Sequence, residues 1–207
     1  MSGTQAILTL AVALSLVSCQ SLPSKTRSPR EITISQAAFS ADREQFERHP
    51  NYLSLTTPYE PVRKLHDELQ TREGKVLITR GEAHITVITP PEFDVLKSRL
   101  SIDDLNKIAQ AKEIQASDIV PICLGKGSAS LAGREENTYF IVVDSTRLRE
   151  IRAQIAETYE KRGGSRNLFD PAKFYPHITV GFTKADLHEH QGVIKDRRAC
   201  VYALKAE

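Results

Sequence analysis

The tetrapeptide His-Ile-Thr-Val occurs twice in the 207-residue sequence, at residues 84–87 and 177–180. In a β-strand, side chains two positions apart leave the same face, so His84 and Thr86 point together, as do His177 and Thr179. The isoleucine and valine of each copy point to the opposite face, where they can pack in a core. If the two strands lie side by side or face each other across a cleft, two imidazoles and two hydroxyls converge.

This set of side chains is suited to the hydrolysis of a phosphodiester. One neutral imidazole can accept a proton from attacking water, and the other, protonated, can donate one to the departing oxygen. Threonine hydroxyls can donate hydrogen bonds to the non-bridging phosphate oxygens. Neither motif brings an acidic residue or a cysteine at ligand spacing, so we expect no metal and no other cofactor. The near-identical motifs do not show which histidine is the acid and which is the base.

Three further residues are candidates for support of the site. Tyr175 shares the face of His177 if the strand extends back through Pro176, where it could stack on a base, bind a phosphate or be a rim residue. Arg80 precedes the first motif and Arg166 precedes the second, and each could neutralise phosphate charge or be surface charge.

The surrounding sequence alternates helical and extended patterns. Helices are predicted over 59–72, 92–100, 101–115 and 145–162, and strands over 52–55, 83–89, 119–124, 138–143, 178–182 and 200–204. Residues 126–137 read as a loop of a hairpin. The order gives two similar halves, each with helices and a strand that begins at a histidine, as in a duplicated design.

The residues around both motifs resemble the paired signatures of the 2H phosphoesterase superfamily. These are Gly-Glu-Ala-His-Ile-Thr-Val at 81–87 and Phe-Tyr-Pro-His-Ile-Thr-Val-Gly-Phe at 174–182, and they are most similar to the Swiss-army-knife RNA-repair-like branch. The resemblance implies a bilobal α+β fold of pseudo-two-fold symmetry, with two antiparallel sheets lining a central cleft and helices outside. It also implies that His84 and His177 are catalytic, that Thr86 and Thr179 bind phosphate, and that the substrates are 2′,3′-cyclic phosphates or related ends of nucleotides or short RNA.

Composition is compatible with this reading. Apolar residues make up 40% and charged residues 26% of the chain, and the formal net charge is +2, so a nucleic acid would be bound locally and not along a basic stripe. We expect a monomer. The alternative hypothesis is an envelope lipoprotein that binds nucleotides or other phosphorylated ligands without turnover, and RNA end-joining is a third.

The N-terminal residues predict export. Residues 6–17 are apolar or small, and Leu-Val-Ser-Cys at 16–19 resembles the bacterial lipobox, although no Lys or Arg precedes the apolar run. We therefore expect a signal peptide at 1–18, a lipidated tether at 19–34 anchored through Cys19, a peripheral helix at 35–50 and the catalytic domain at 51–207. This would place the protein in the cell envelope, on the periplasmic face of a membrane, and an outer-membrane destination is the weaker inference; a degenerate anchor or a misassigned start is the alternative. An oxidising compartment permits a disulfide between Cys123 and Cys200, and two buried thiols are equally compatible with the sequence.

Overall fold

The computed structural model describes residues 30–40 and 46–207. The predicted signal peptide, Cys19 and the tether up to residue 29 lie outside the described residues. Within the described ranges, no helix has the length and apolar character needed to cross a membrane.

In the described part of the chain, seven strands form one mixed sheet in the order β1-β7-β4-β5-β6-β3-β2. The strands are β1 (Arg30–Ile34), β2 (Leu53–Thr56), β3 (His84–Ile88), β4 (Val120–Leu131), β5 (Arg134–Asp144), β6 (His177–Phe182) and β7 (Cys200–Ala206), and the helices are α1 (Tyr59–Glu73), α2 (Pro90–Leu96), α3 (Ile102–Ala111) and α4 (Thr146–Lys161). The α+β class is as predicted. The expected pair of separate antiparallel sheets is not found among residues 30–40 and 46–207, because β3 and β6 pair at Ile85–Ile178 and join the two halves, and because β1 pairs parallel with β7.

The centre of the sheet contains two units with the same order of strand, helix and strand. Strand β2 leads through α1 into β3, its antiparallel neighbour, and β5 leads through α4 into β6, its antiparallel neighbour. Each helix packs against a strand of the other unit: α1 packs against β6, and α4 packs against β3. Ile85 and Ile178 are fully buried on this helical side of the sheet, which contains the main hydrophobic core.

The N-terminal described residues differ from the prediction. Residues 30–34 were expected to be tether but form β1, because the alternation of Ile32 and Ile34 places both side chains in the core. The helix expected over 35–50 is a single turn of 3-10 helix, Gln36–Phe39, which suffices to bury Ala38 and Phe39. Residues 46–50 are not helical, and 41–45 lie outside the described residues.

The loop expected over 126–137 is mostly strand. Strands β4 and β5 pair from Val120–Asp144 to Leu131–Arg134, and only Ala132 and Gly133 form the turn. Both have positive φ, 51° and 78°, as a two-residue type I′ hairpin requires. The small and polar residues of this segment resembled a loop, but long-range pairing supplies their backbone hydrogen bonds.

Cys123 of β4 and Cys200 of β7 form a disulfide, with their Cα atoms 5.7 Å apart. The cross-link closes a segment of 77 residues, so chain entropy predicts that it raises the free energy of unfolding by about 4 kcal/mol. We expect a reductant to lower the urea midpoint of the native protein and to leave a Cys123→Ser/Cys200→Ser variant unchanged. Equal midpoints for the native protein with and without reductant would contradict this prediction.

Candidate active site

The antiparallel register of β3 and β6 brings the two motifs together. Because Ile85 lies opposite Ile178, His84 lies opposite Thr179, and Thr86 lies opposite His177. All four side chains leave the face of the sheet opposite the helical core. The two histidines are diagonal neighbours in this arrangement, which places their backbones about 7–8 Å apart. The structure therefore brings together the four residues that the repeated motif singled out.

His177 is held by a backbone carbonyl. Its Nδ1 lies 2.7 Å from the carbonyl oxygen of Tyr175, and since a carbonyl can only accept, Nδ1 carries the proton and donates it. No group of the described residues bonds Nε2, which is thus a free proton acceptor when the ring is neutral. Burial, assisted by the positive charge of Lys195, lowers the pKa of His177 to about 3.

His84 has a different neighbour at the same ring position. Its Nδ1 lies 3.4 Å from Oε1 of Glu82, and its side chain is 16% exposed. Burial lowers the pKa of His84, while the carboxylate of Glu82 opposes this effect by favouring the charged ring. The tilted ring of Tyr52 lies 6.0 Å away, between centroids, and stacks in turn on His49 at 3.9 Å.

The two threonines also differ. The hydroxyl of Thr86 has no protein partner among the residues described, whereas that of Thr179 donates to Oδ2 of Asp186 at 3.2 Å. Arg80 donates to the same carboxylate oxygen at 3.0 Å, which places this predicted support residue beside the second motif. Asp186 is 5% exposed and Arg80 39%, so the guanidinium is the more accessible of the two charges.

Phe140 forms the wall of the site beside His177. The ring lies edge-on to the imidazole, with 5.9 Å between centroids, and packs with Val142 and Leu187 in a small cluster on this face. A Cβ at Gly125 on β4 would approach the Phe140 ring to 2.6 Å, so only glycine leaves room for it. Of the adjacent pair Tyr139 and Phe140, it is Phe140 that reaches the site, while the hydroxyl of Tyr139 bonds Glu73 on the helical side.

Tyr175 contributes to the site through its main chain, by accepting from His177. Its side chain lines a groove of about 270 Å³ at the end of the sheet where β6 begins. Arginines 149, 197 and 198 also line this groove, as does Lys195. Asp144 and Asp196 line it as well and pair with Arg149 and Arg198, so the groove carries both signs of charge, with an excess of positive charge.

Arg166 does not reach the site, which contradicts its predicted supporting role. It is 85% exposed and lies 3.6 Å from Glu160 at the end of α4, on the helical side of the sheet. In the described part of the chain, no group of three or more His, Cys, Asp or Glu side chains is arranged to hold a metal ion.

Comparison with known families identifies the domain. Residues 51–188 match the family model described as Swiss Army Knife, 2H phosphoesterase domain, and this span includes both His-Ile-Thr-Val copies. The chain belongs to the Swiss Army Knife 2H phosphoesterases. Searches of curated proteins and of solved structures gave no match. The superfamily predicted from the motifs is thus confirmed, and the general activity of the domain is that of a phosphoesterase.

Sequence reasoning missed two residues of this 2H phosphoesterase. Asp186 and Lys195 lie next to the second motif, yet they follow it in an irregular segment with neither strand nor helix periodicity. The spacing of seven residues between Thr179 and Asp186 places them together only because the chain turns back after β6. One feature of the sequence could have indicated their burial. Asp186 and Lys195 are close in sequence to the apolar residues Leu187 and Val193, which the structure shows to be buried.

Proposed function

We propose that this 2H phosphoesterase hydrolyses 2′,3′-cyclic phosphates or related phosphodiester ends of nucleotides or short RNA, by acid–base catalysis with two histidines. The observation that carries the proposal is the paired arrangement of His84 and His177. Each ring has an acceptor at Nδ1, which leaves Nε2 for the substrate, and each lies across from a threonine hydroxyl.

The surroundings of the two rings support a division of roles. His177, buried and bonded through Nδ1 to a carbonyl, is the base, because its Nε2 bears a free lone pair when the ring is neutral. His84 is the acid, because the carboxylate of Glu82 beside Nδ1 stabilises its protonated ring.

In the proposed reaction, water attacks phosphorus and gives a proton to Nε2 of His177, while the bond from phosphorus to a ribose oxygen breaks. The departing oxygen takes the proton of Nε2 of His84, so a diester and one water yield a phosphomonoester and a free hydroxyl. Thr86 and Thr179 donate to the non-bridging oxygens as negative charge increases. Proton exchange with solvent restores both rings.

The groove beside His177 supports a substrate longer than one nucleotide. Arg197, which forms no ion pair within the described residues, can bind a neighbouring phosphate, and the ring of Tyr175 offers an aromatic surface for a base. This location favours short RNA with a cyclic phosphate end over a free mononucleotide.

The test is a product assay with 2′,3′-cyclic nucleotides and short cyclic-phosphate RNAs in the presence of a chelator and of ¹⁸O-labelled water. We expect a single phosphomonoester product that carries one ¹⁸O atom. Binding without product across the whole panel would favour the alternative, a non-catalytic binding module. Activity that disappears with the chelator would contradict the two-histidine mechanism.

The pH dependence follows from the two assigned roles. We expect kcat/KM to rise with pH as His177 loses its proton and to fall as His84 loses its own, with a maximum below pH about 6.5, because both pKa values are lowered in the free protein. The negative phosphate raises both pKa values in the complex, so the kcat profile should lie at higher pH. Glu82→Gln should move only the falling limb, to lower pH. The exposed Glu150→Gln on α4 is the control, and an unchanged limb in Glu82→Gln would overturn the assignment of His84 as acid.

A further inference from the structure

Asp186 and Lys195 form an ion pair inside the protein. Nζ of Lys195 lies 2.6 Å from Oδ1 of Asp186, and the two side chains are 3% and 5% exposed. Removing two charges from water is costly, so a buried ion pair is weak evidence of a role in stability alone. Neither residue is part of a His-x-Thr motif, and Lys195 lies beyond the matched residues 51–188.

The carboxylate of Asp186 connects several parts of the site. Its Oδ1 accepts from Lys195 at 2.6 Å and from Thr138 of β5 at 2.8 Å. Its Oδ2 accepts from Arg80 at 3.0 Å and from Thr179 of β6 at 3.2 Å. These four donors use the full hydrogen-bonding capacity of an ionised carboxylate. The carboxylate is therefore held in place, and it in turn orients the Thr179 hydroxyl.

The ammonium of Lys195 lies behind the wall of the site. Nζ is 5.5 Å from the centroid of the Phe140 ring, and that ring is in turn 5.9 Å from the ring of His177. Phe140 therefore contacts both a buried cation and the catalytic imidazole. Such a charge acts over this distance because Lys195 and Phe140 are buried, where the effective dielectric constant is lower than in water.

We propose that the Asp186–Lys195 pair is a positioning element for the reaction: its carboxylate fixes the Thr179 hydroxyl and Arg80, and its ammonium places a buried positive charge behind Phe140 and His177. This inference rests on the proposed function. The positive charge favours the neutral, proton-accepting ring of His177 and attracts the negative phosphate. When a phosphate oxygen enters, the Thr179 proton turns to it, while Asp186 keeps its other three donors.

The charged groups that act on the His177 ring are Lys195, Asp186 and His188. Burial lowers the pKa of Lys195, and the adjacent Asp186 opposes that effect. Burial raises the pKa of Asp186, but the charge of Lys195 outweighs it and holds the carboxyl well below its usual range. The pair is thus charged over the range in which His177 has to accept a proton, and the field of the lysine is present during turnover.

The inference is tested by NMR titration of the His177 ring in the purified protein with labelled histidine. We expect Lys195→Met to raise the pH of half-protonation of His177 by about one unit, and Lys195→Arg to leave it unchanged. The double variant Asp186→Asn/Lys195→Met removes both charges. Its pH of half-protonation of His177 should lie between that of the native protein and that of Lys195→Met. The double variant also keeps the experiment informative if Lys195→Met alone does not fold, because it leaves no unpaired buried carboxylate.

The matched control is Lys126→Met. In the native protein, Nζ of Lys126 lies 5.6 Å from the centroid of the Tyr139 ring. Tyr139 is on the same strand as Phe140 but faces the opposite side of the sheet. Lys126→Met should leave the His177 titration unchanged. With a cyclic-phosphate substrate, Lys195→Met should lower kcat by about 10- to 100-fold, as for residues that act through a functional group, and Lys195→Arg should restore most of it.

Folded Lys195→Met and double variants with a native His177 titration would overturn the inference, as would a fall in the half-protonation pH of Lys195→Met. The titration needs no substrate. A native protein without phosphodiesterase activity but with the expected shifts would therefore contradict the proposed function and leave the electrostatic role of Lys195 standing.

Discussion

In the proposed mechanism, replacing His84 or His177 by alanine is expected to lower kcat by a factor of about 10²–10⁴, equivalent to about 3–5 kcal/mol of transition-state stabilisation. His84→Ala removes the proton donor to the departing oxygen, and His177→Ala removes the acceptor for the proton of water. Because the two residues act in one step, the double variant should lose little more than the worse single variant. The measurement is kcat with a cyclic-phosphate RNA, in the presence of a chelator.

A change of leaving group separates the two roles. With a nucleoside p-nitrophenyl phosphodiester the departing oxygen needs no proton, so His84→Ala should recover most of its activity, while His177→Ala should remain inactive. The exposed His190→Ala is the control and should behave as the native protein. Recovery of His177→Ala in place of His84→Ala would reverse the assignment of acid and base, and full activity in both variants would refute the mechanism.

Arg152→Met is expected to lower the free energy of unfolding by about 3–5 kcal/mol, because it breaks a buried ion pair from one side. Arg152 of α4 is 1% exposed and donates to Oε1 of Glu92 at 2.8 Å. It also donates to the carbonyl oxygen of Val87 on β3, at 2.7 Å, and to those of Pro171 and Lys173, both at 3.0 Å. One guanidinium thus connects the strand of the first motif with the segment that leads into the second.

Urea unfolding measures this effect, and a second arginine of the same helix provides the control. Arg149 pairs with Asp144 at 2.8 Å but is 46% exposed, so Arg149→Met should cost less than about 1 kcal/mol. Arg152→Lys keeps the charge but not the planar guanidinium with its several donors. Its free energy of unfolding should lie between those of Arg152→Met and Arg149→Met. Equal midpoints for Arg152→Met and Arg149→Met would show that the buried contacts of Arg152 contribute nothing net.

The strands and helices nearest the motifs could be predicted because their local pattern and their tertiary role agree. The helices before β3 and β6 were expected over 59–72 and 145–162 and are found at Tyr59–Glu73 and Thr146–Lys161, each with its apolar face toward the sheet. The spacing of apolar residues and the residues that begin or end a helix are local properties of the chain. The same holds for the alternation of His and Thr with Ile and Val, which placed four side chains on one face.

What could not be predicted depends on distant partners. Arg152 is a charged residue within a helix, and its burial becomes favourable through distant partners: Glu92 and the carbonyl oxygens of residues 87, 170, 171 and 173. The long strands of the β4–β5 hairpin were obscured by small residues, of which Gly125 and Gly127 make room for the side chains of Phe140 and Val193. Asp186 and Lys195 share a site with Thr179 only through a turn of the chain that carries no repeating pattern.

The Cys123–Cys200 bond also determines what a protease can release. The chain between these cysteines contains β5, α4 and β6, and with them His177, Thr179, Asp186 and Lys195. Residues 165–168 within it are exposed after the end of α4. A single backbone cut there leaves two polypeptides that remain covalently joined, and the nicked protein migrates as one species until it is reduced. Damage at this loop is therefore retained within the molecule, whereas a cut at residues 75–76, outside the closed segment, leaves no covalent link between the pieces.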